Sequence, residues 1–151
     1  MSFLNQGINA IESGNAKKAS KLFIKAWTVF RGKKLYEKMY ETTDRIVEAY
    51  VELKKPRAAL TYLETKHDIM KKNKDYEGAV MTRIDTARMF ATHPKGKDEA
   101  LSYYQKAWSE NMKFAVGGEV NDIIPKEVQD LLMSIGKSED YIEKYMAKNF
   151  Q

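Results

Sequence analysis

Residues 19–27 read Ala-Ser-Lys-Leu-Phe-Ile-Lys-Ala-Trp, and residues 100–108 read Ala-Leu-Ser-Tyr-Tyr-Gln-Lys-Ala-Trp. Both stretches open on a small residue, carry an aromatic four positions later and end in Lys-Ala-Trp. A weaker copy lies between them, Ala59-Leu-Thr-Tyr-Leu63-Glu-Thr-Lys66-His67. The alanines at 19, 59 and 100 step by 40 and then 41 residues. A sustained period of this length marks a structural unit that stacks on copies of itself.

Apolar residues within the copies recur at three and four: Leu22, Phe23, Ala26, Trp27 and Phe30 in one stretch, Ile84, Ala87, Phe90 and Ala91 in another. That spacing lines one face of a helix, and alternation of period two is nowhere sustained. Each copy follows a second helical stretch with its own compact residue and a bulky one three further on: Gly7 with Ala10-Ile11, Val47 with Tyr50, Ala87 with Phe90. Turn residues separate the two stretches at Ser13-Gly14-Asn15, Lys54-Lys55-Pro56 and Thr92-His93-Pro94-Lys95-Gly96, where a helical hairpin must reverse. Asn15 is placed to cap the helix it opens, and Pro56 suits a first helical position, whose N–H has no intrahelical partner. A fourth unit is expected to begin at Pro125, to turn at Gly136-Lys137-Ser138 and to end in a helix carrying Tyr141, Ile142, Tyr145 and Met146, with residues 115–120 as a bridging loop. The expectation is a single all-α domain over 1–151, about eight helices in four hairpins, with units near 2–32, 34–73, 75–114 and 121–150.

These residues resemble the tetratricopeptide-type (TPR-like) helical repeat. Gly7, Gly14, Ala19, Phe23 and Ala26 stand at its characteristic places in the first unit, Tyr50 and Ala59 in the second, and Ala87, Phe90, Ala100, Tyr104 and Ala107 in the third. The resemblance covers about residues 2–114, and it departs from the family in its 40–41-residue period, in Val47 and in Lys66, which replaces the last alanine of its unit. It implies a right-handed α-solenoid of antiparallel hairpins, in which small residues sit where helices touch and aromatics fill the gap to the next hairpin.

The chain has 151 residues, 43% hydrophobic and 31% charged, a composition of one folded domain rather than of a disordered segment. With no cysteine, thiolate metal sites, disulfides and cysteine nucleophiles are excluded. The N-terminal stretch has neither a basic region, an apolar core nor a small-residue cleavage site, so a cytoplasmic location is expected. Two histidines exist, His67 and His93. Glu64 and His67 have the Glu-x-x-His spacing of di-iron bundles, but Phe90 removes any second pair, so His67 reads as a surface histidine on a charged helix and His93 as a solvated turn residue. No phosphate-binding glycine loop, nucleophile elbow or His-Glu-x-x-His run is present. No catalytic residue, metal or cofactor is assigned, and a non-enzymatic protein is expected.

A stack of hairpins would present its first helices as a concave groove for a partner segment, as the resemblance implies. Its lining would be Met1, Leu4, Asn5 and Ile8 in the first unit, Glu41, Asp44, Arg45 and Glu48 in the second, and Met81, Ile84, Asp85 and Arg88 in the third. The cationic clamp with which some members hold chaperone C-termini is missing at these places. The acidic middle favours a partner with Lys or Arg beside an apolar anchor. The alternative surface is basic: the net charge is +5, and Lys17, Lys18, Lys21, Lys25, Lys33 and Lys34 follow one another along and beyond one helix. Such a stripe is able to track nucleic-acid phosphates, or simply to keep the outer face in water. Self-association is a third use of these surfaces, and no membrane contact is expected. Trp27 and Trp108 read as core, while Tyr141, Tyr145, Met146 and Phe150 form an exposed patch unless the last helix buries them all.

Overall fold

Gly14 has φ of +78°, and non-glycine residues take the same left-handed conformation at Lys34, Lys54 and Lys74, with φ of 57°, 57° and 62°. The four lie twenty residues apart. At each, two hydrogen bonds close the preceding helix. The Gly14 N–H donates to the Ile11 carbonyl (3.0 Å) and the Asn15 N–H to the Ala10 carbonyl (2.9 Å), a pair repeated at Lys34 and Leu35, at Lys54 and Lys55, and at Lys74 and Asp75. This is a Schellman closure, which satisfies carbonyls the helix end would otherwise strand. Over residues 1–75 each 40-residue step of the sequence thus comprises two helices ended by the same turn, whereas the helix that ends at Ala91 has no left-handed residue at its close.

The computed structural model describes residues 1–151 as eight α-helices with no strand. They are α1 (Phe3–Glu12), α2 (Ala16–Gly32), α3 (Tyr36–Glu52), α4 (Leu60–Lys72), α5 (Tyr76–Ala91), α6 (Lys97–Phe114), α7 (Val120–Ser134) and α8 (Glu139–Asn149), with a 3-10 turn at Pro56–Ala59 leading into α4. Side chains of Ser2, Asn15, Asp75 and Ser138 accept N–H groups of the first turns of α1, α2, α5 and α8. Pro56 opens the 3-10 turn, as its missing N–H requires. No helix is long and apolar enough to cross a membrane.

Two compact units divide the chain, Met1–Lys66 and His67–Gln151. In the first, α2 packs on both α1 and α3. Gly7 is what lets α1 approach, because a Cβ there would stand 2.5 Å from Phe23 Cε1. Ala19, Phe23, Ala26, Trp27, Met39, Ile46, Ala49, Ala59 and Leu63 are buried in this unit. The Trp27 indole N–H donates to the Thr43 hydroxyl at 3.1 Å, and its ring meets Tyr62 edge-on at 4.9 Å, which ties α2 to α3 and to the start of α4.

In the second unit α5 and α6 form the closest-packed pair and α7 packs against both. Its buried residues include Ala79, Val80, Ile84, Ala87 and Phe90 on α5, Ala100, Tyr104 and Ala107 on α6, and Ile124, Val128, Leu131 and Leu132 on α7. The α7 helix starts at Val120, five residues before the expected Pro125, which lies inside it. The cause is local: the fully buried Asn111 accepts from the Gly117 N–H and donates to the Asn121 side chain, both at 2.8 Å, so the bridge closes within four residues of its left-handed Ala115 and Val120 is free to anchor a helix. The last helix differs from the rest, since α8 buries none of its residues. Phe150, just past its end, is buried 6.0 Å from the Trp108 ring, while Tyr141 stays exposed and Tyr145 and Met146 are half-buried.

Candidate functional site

The residues expected to line a groove fall into three groups. On α1, Asn5 is exposed and Leu4 and Ile8 are half-buried. On α3, Glu41, Asp44, Arg45 and Glu48 are all exposed, which the helix period ensures because Met39, Thr42, Thr43, Ile46 and Ala49 occupy the opposite face. On α5, however, Ile84 is fully buried, so this residue belongs to the interior and lines no surface. Asp85 is half-buried and Arg88 exposed beside it.

The charges of α3 and α5 are largely engaged within the chain. The Lys66 ammonium lies 3.4 Å from Asp44 Oδ1 and 5.8 Å from the Tyr40 ring centre. Lys66 occupies the place of Ala26 and Ala107 in the other repeats and is buried there, its ammonium meeting the exposed carboxylate of Asp44. Arg45 pairs with Glu48 at 3.7 Å one turn along α3. Arg88 forms two hydrogen bonds to Glu127 of α7, at 2.7 and 2.6 Å, and lies 3.5 Å from Asp85. The Tyr104 hydroxyl donates to the same Glu127 carboxylate at 2.8 Å. The bonds to Glu127 hold the Arg88 guanidinium charged even more firmly than usual. Burial, with the bond to Glu127, pushes the Tyr104 phenol up. Burial alone would raise the Glu127 carboxyl, but the hydrogen bonds from Arg88 and Tyr104 outweigh it and hold it below the ordinary carboxylate range.

His67 is not a surface residue. It stands where Trp27 and Trp108 stand in their repeats and is 2% exposed. Its Nε2 lies 2.9 and 2.8 Å from the two oxygens of Glu110, and its Nδ1 lies 2.9 Å from Asp68. Arg83 adds a contact to Glu110 at 3.3 Å. The ring position that an indole fills in the other repeats is therefore taken by a smaller ring whose nitrogens both face carboxylates, and Glu64, His67 and Asp68 bring one donor atom each to within 4.8 Å of one another. His93 is half-buried in its turn, with Nδ1 accepting the Lys95 N–H at 3.1 Å.

Lys17, Lys18, Lys21, Lys25, Lys33 and Lys34 are all exposed on or just beyond α2. Glu127 was not singled out by sequence reasoning, since Arg88 and Tyr104, the partners that define it, come from other helices. A cleft of about 750 Å³ opens between α7 and α8, with Met133 on one side and Ile142, Met146 and Phe150 on the other. Comparison with known protein families, with characterised proteins and with solved structures finds no match.

Proposed function

We propose that the chain is a TPR-like helical repeat protein, a non-enzymatic cytoplasmic adaptor that binds a segment of another protein along first helices of its hairpins. The observation that carries this reading is the equivalence of four columns at the repeat spacing. Ala19, Ala59 and Ala100 are each wholly buried; Phe23, Leu63 and Tyr104 follow them, buried, four residues on. Next come Ala26, Lys66 and Ala107, also buried, and then Trp27, His67 and Trp108. The same burial pattern thus recurs three times, which supports a stacked repeat.

Within the first unit, the surface offered to a partner is Leu4, Asn5 and Ile8 of α1 together with Glu41, Asp44, Arg45 and Glu48 of α3. Glu41 and Glu48 are the residues to change, because Asp44 also holds the buried Lys66. Tagged protein is used to capture a partner from a lysate of the source organism, with and without nuclease. A discrete protein recovered equally from both, and lost with the Glu41→Lys/Glu48→Lys variant, supports the adaptor. Recovery that vanishes with nuclease transfers the function to nucleic acid and the exposed α2 lysines, for which the clustering of six unpaired cations is the favouring observation.

A further inference from the structure

The net positive charge of this protein arises at one end of the sequence. Residues 1–38 carry eight Lys or Arg and two acidic residues, a balance of +6, whereas the whole chain is +5, so the other 113 residues sum to −1. Asp44, Glu48, Glu110 and Glu127 each have a cationic partner. None of Lys17, Lys21, Lys25, Lys33, Lys34 and Lys38 is paired with a carboxylate.

Two of these cations, Lys25 and Lys38, border an apolar recess. Phe3 and Leu4 of α1 and Ala26, Val29 and Phe30 of α2, with Met1, enclose about 280 Å³ between the start of one helix and the end of the other. Phe3 and Val29 remain 41% and 39% exposed, so the recess is open. Lys17, Lys21, Lys25, Val29 and Lys33 succeed one another at four-residue spacing, which places them in one row along α2. At the rim the Lys25 ammonium stands 5.6 Å from the Phe3 ring centre, and the Lys38 ammonium stands 5.9 Å from that of Phe30. Each cation thus lies beside one of the aromatic walls.

We propose that this recess is a docking site for an acidic, amphipathic segment of another protein, which inserts one large apolar side chain between α1 and α2 and lays carboxylates against Lys25, Lys38 and the α2 row. Charge complementarity selects the acidic partner, and concavity selects a protein segment. A bilayer is entered by a broad apolar helix face, whereas the exposed apolar side chains here, Met1, Phe3 and Val29, rim a recess of about 280 Å³. A nucleic acid stacks its bases on open aromatic faces, whereas Phe30 is half-buried, the Phe3 ring has the Lys25 ammonium over it at 5.6 Å, Leu4, Ala26 and Val29 add aliphatic lining, and Arg31 is held 5.4 Å from the Trp27 ring. Helix-in-groove recognition of this kind takes affinity from the anchor and orientation from the rim. The inference rests on the adaptor reading only in taking a protein as occupant; it places the contact on α1 and α2 and needs none of the α3 acids.

The test uses the full chain and a fluorescein-labelled helix-forming peptide, rich in glutamate, with one central phenylalanine. Fluorescence anisotropy is expected to show saturable binding that weakens at least tenfold when the peptide's phenylalanine becomes alanine, and at least tenfold in Val29→Asp protein. Lys25→Glu/Lys38→Glu protein, altered only at exposed side chains, is expected to lose as much and serves if Val29→Asp fails to fold by circular dichroism. Glu41→Lys/Glu48→Lys protein is expected to bind the peptide undiminished, so failure of the α3 groove and failure of this recess are read separately. Equal binding of the phenylalanine and alanine peptides, or unchanged binding by both recess variants, overturns the proposal. So does absence of peptide binding alongside binding of phosphatidylserine vesicles or of a single-stranded oligonucleotide, which reassigns the surface to membrane or nucleic acid.

Discussion

Arg88 grips both oxygens of Glu127, at 2.7 and 2.6 Å, and so locks α5 to α7 through a planar, two-bond contact completed by the Tyr104 hydroxyl. Such bidentate pairs are the stronger kind of ion pair, but Arg88 is 44% exposed, so screening reduces this one. Glu127→Gln is expected to cost about 1 kcal/mol. Because the native Glu127 carboxyl lies below its ordinary value of 4.5, its contribution is present above that pH and is lost as pH falls through the lower native value. Urea denaturation at neutral pH and at successively lower pH checks this: the gap between wild type and Glu127→Gln should close on the acid side. A gap that stays constant with pH would mean that the charge of Glu127 contributes nothing.

Lys34, Lys54 and Lys74 occupy left-handed conformations that cost an ordinary residue about 1–2 kcal/mol. Glycine removes that strain, and its greater freedom in the unfolded chain takes back part of the gain. Replacing any one by glycine is expected to stabilise the protein by about 0.5 kcal/mol. The same change at exposed Lys18, inside α2, is expected to cost about 1 kcal/mol. The urea midpoint at constant slope reports both, and a shift of the same sign at Lys34 and Lys18 would refute the turn argument.

The pattern of three and four, with its 40-residue spacing, was enough to read the helices, because burial on α2, α5 and α6 follows periodicity directly. Asn15 and Pro56 do at their helix starts what their chemistry foretells. Three features resisted for physical reasons. The turns at 34, 54 and 74 use lysine where glycine would have announced a left-handed residue. His67 looks like a surface residue in a charged stretch, and only Glu110, 43 residues away, explains its burial. Charges such as Asp44 and Arg88 look free along the chain and prove engaged once Lys66 and Glu127 arrive from other helices. The recess at Phe3 and Val29 had one readable sign: the four-residue lysine row of α2 is interrupted by an apolar residue.

Trp27 and Trp108 are equivalent in sequence and unequal in bonding. The first donates to Thr43, whereas the indole N–H of Trp108 is buried without a partner. A lost hydrogen bond costs about 1 kcal/mol, and an unmade one at a buried donor already costs about 1–3 kcal/mol. Trp27→Phe is therefore expected to destabilise by about 1–2 kcal/mol more than Trp108→Phe. Thr43→Val, which strands the Trp27 donor, is expected to cost about 1–3 kcal/mol in wild type and little in the Trp27→Phe background. Chemical denaturation of the set measures this, and equal costs at the two tryptophans would contradict it.

Asp44 and Lys66 supply the sharpest asymmetry in the first unit. The Lys66 side chain is only 10% exposed while that of Asp44 is 65% exposed, so the two ends of one ion pair are in different solvents. Removing the acid strands a buried ammonium, with only the Tyr40 ring face left to it. Removing the lysine leaves a carboxylate that water already solvates. Asp44→Ala is accordingly expected to cost about 1 kcal/mol, and Lys66→Met, which keeps the buried stem and deletes the charge, to be neutral or stabilising. In the Lys66→Met background Asp44→Ala should then cost nothing, and the difference between backgrounds measures the coupling of the pair. If Asp44→Ala costs the same with lysine or methionine at 66, the pair is uncoupled, and the burial of Lys66 is sustained by its hydrocarbon stem alone.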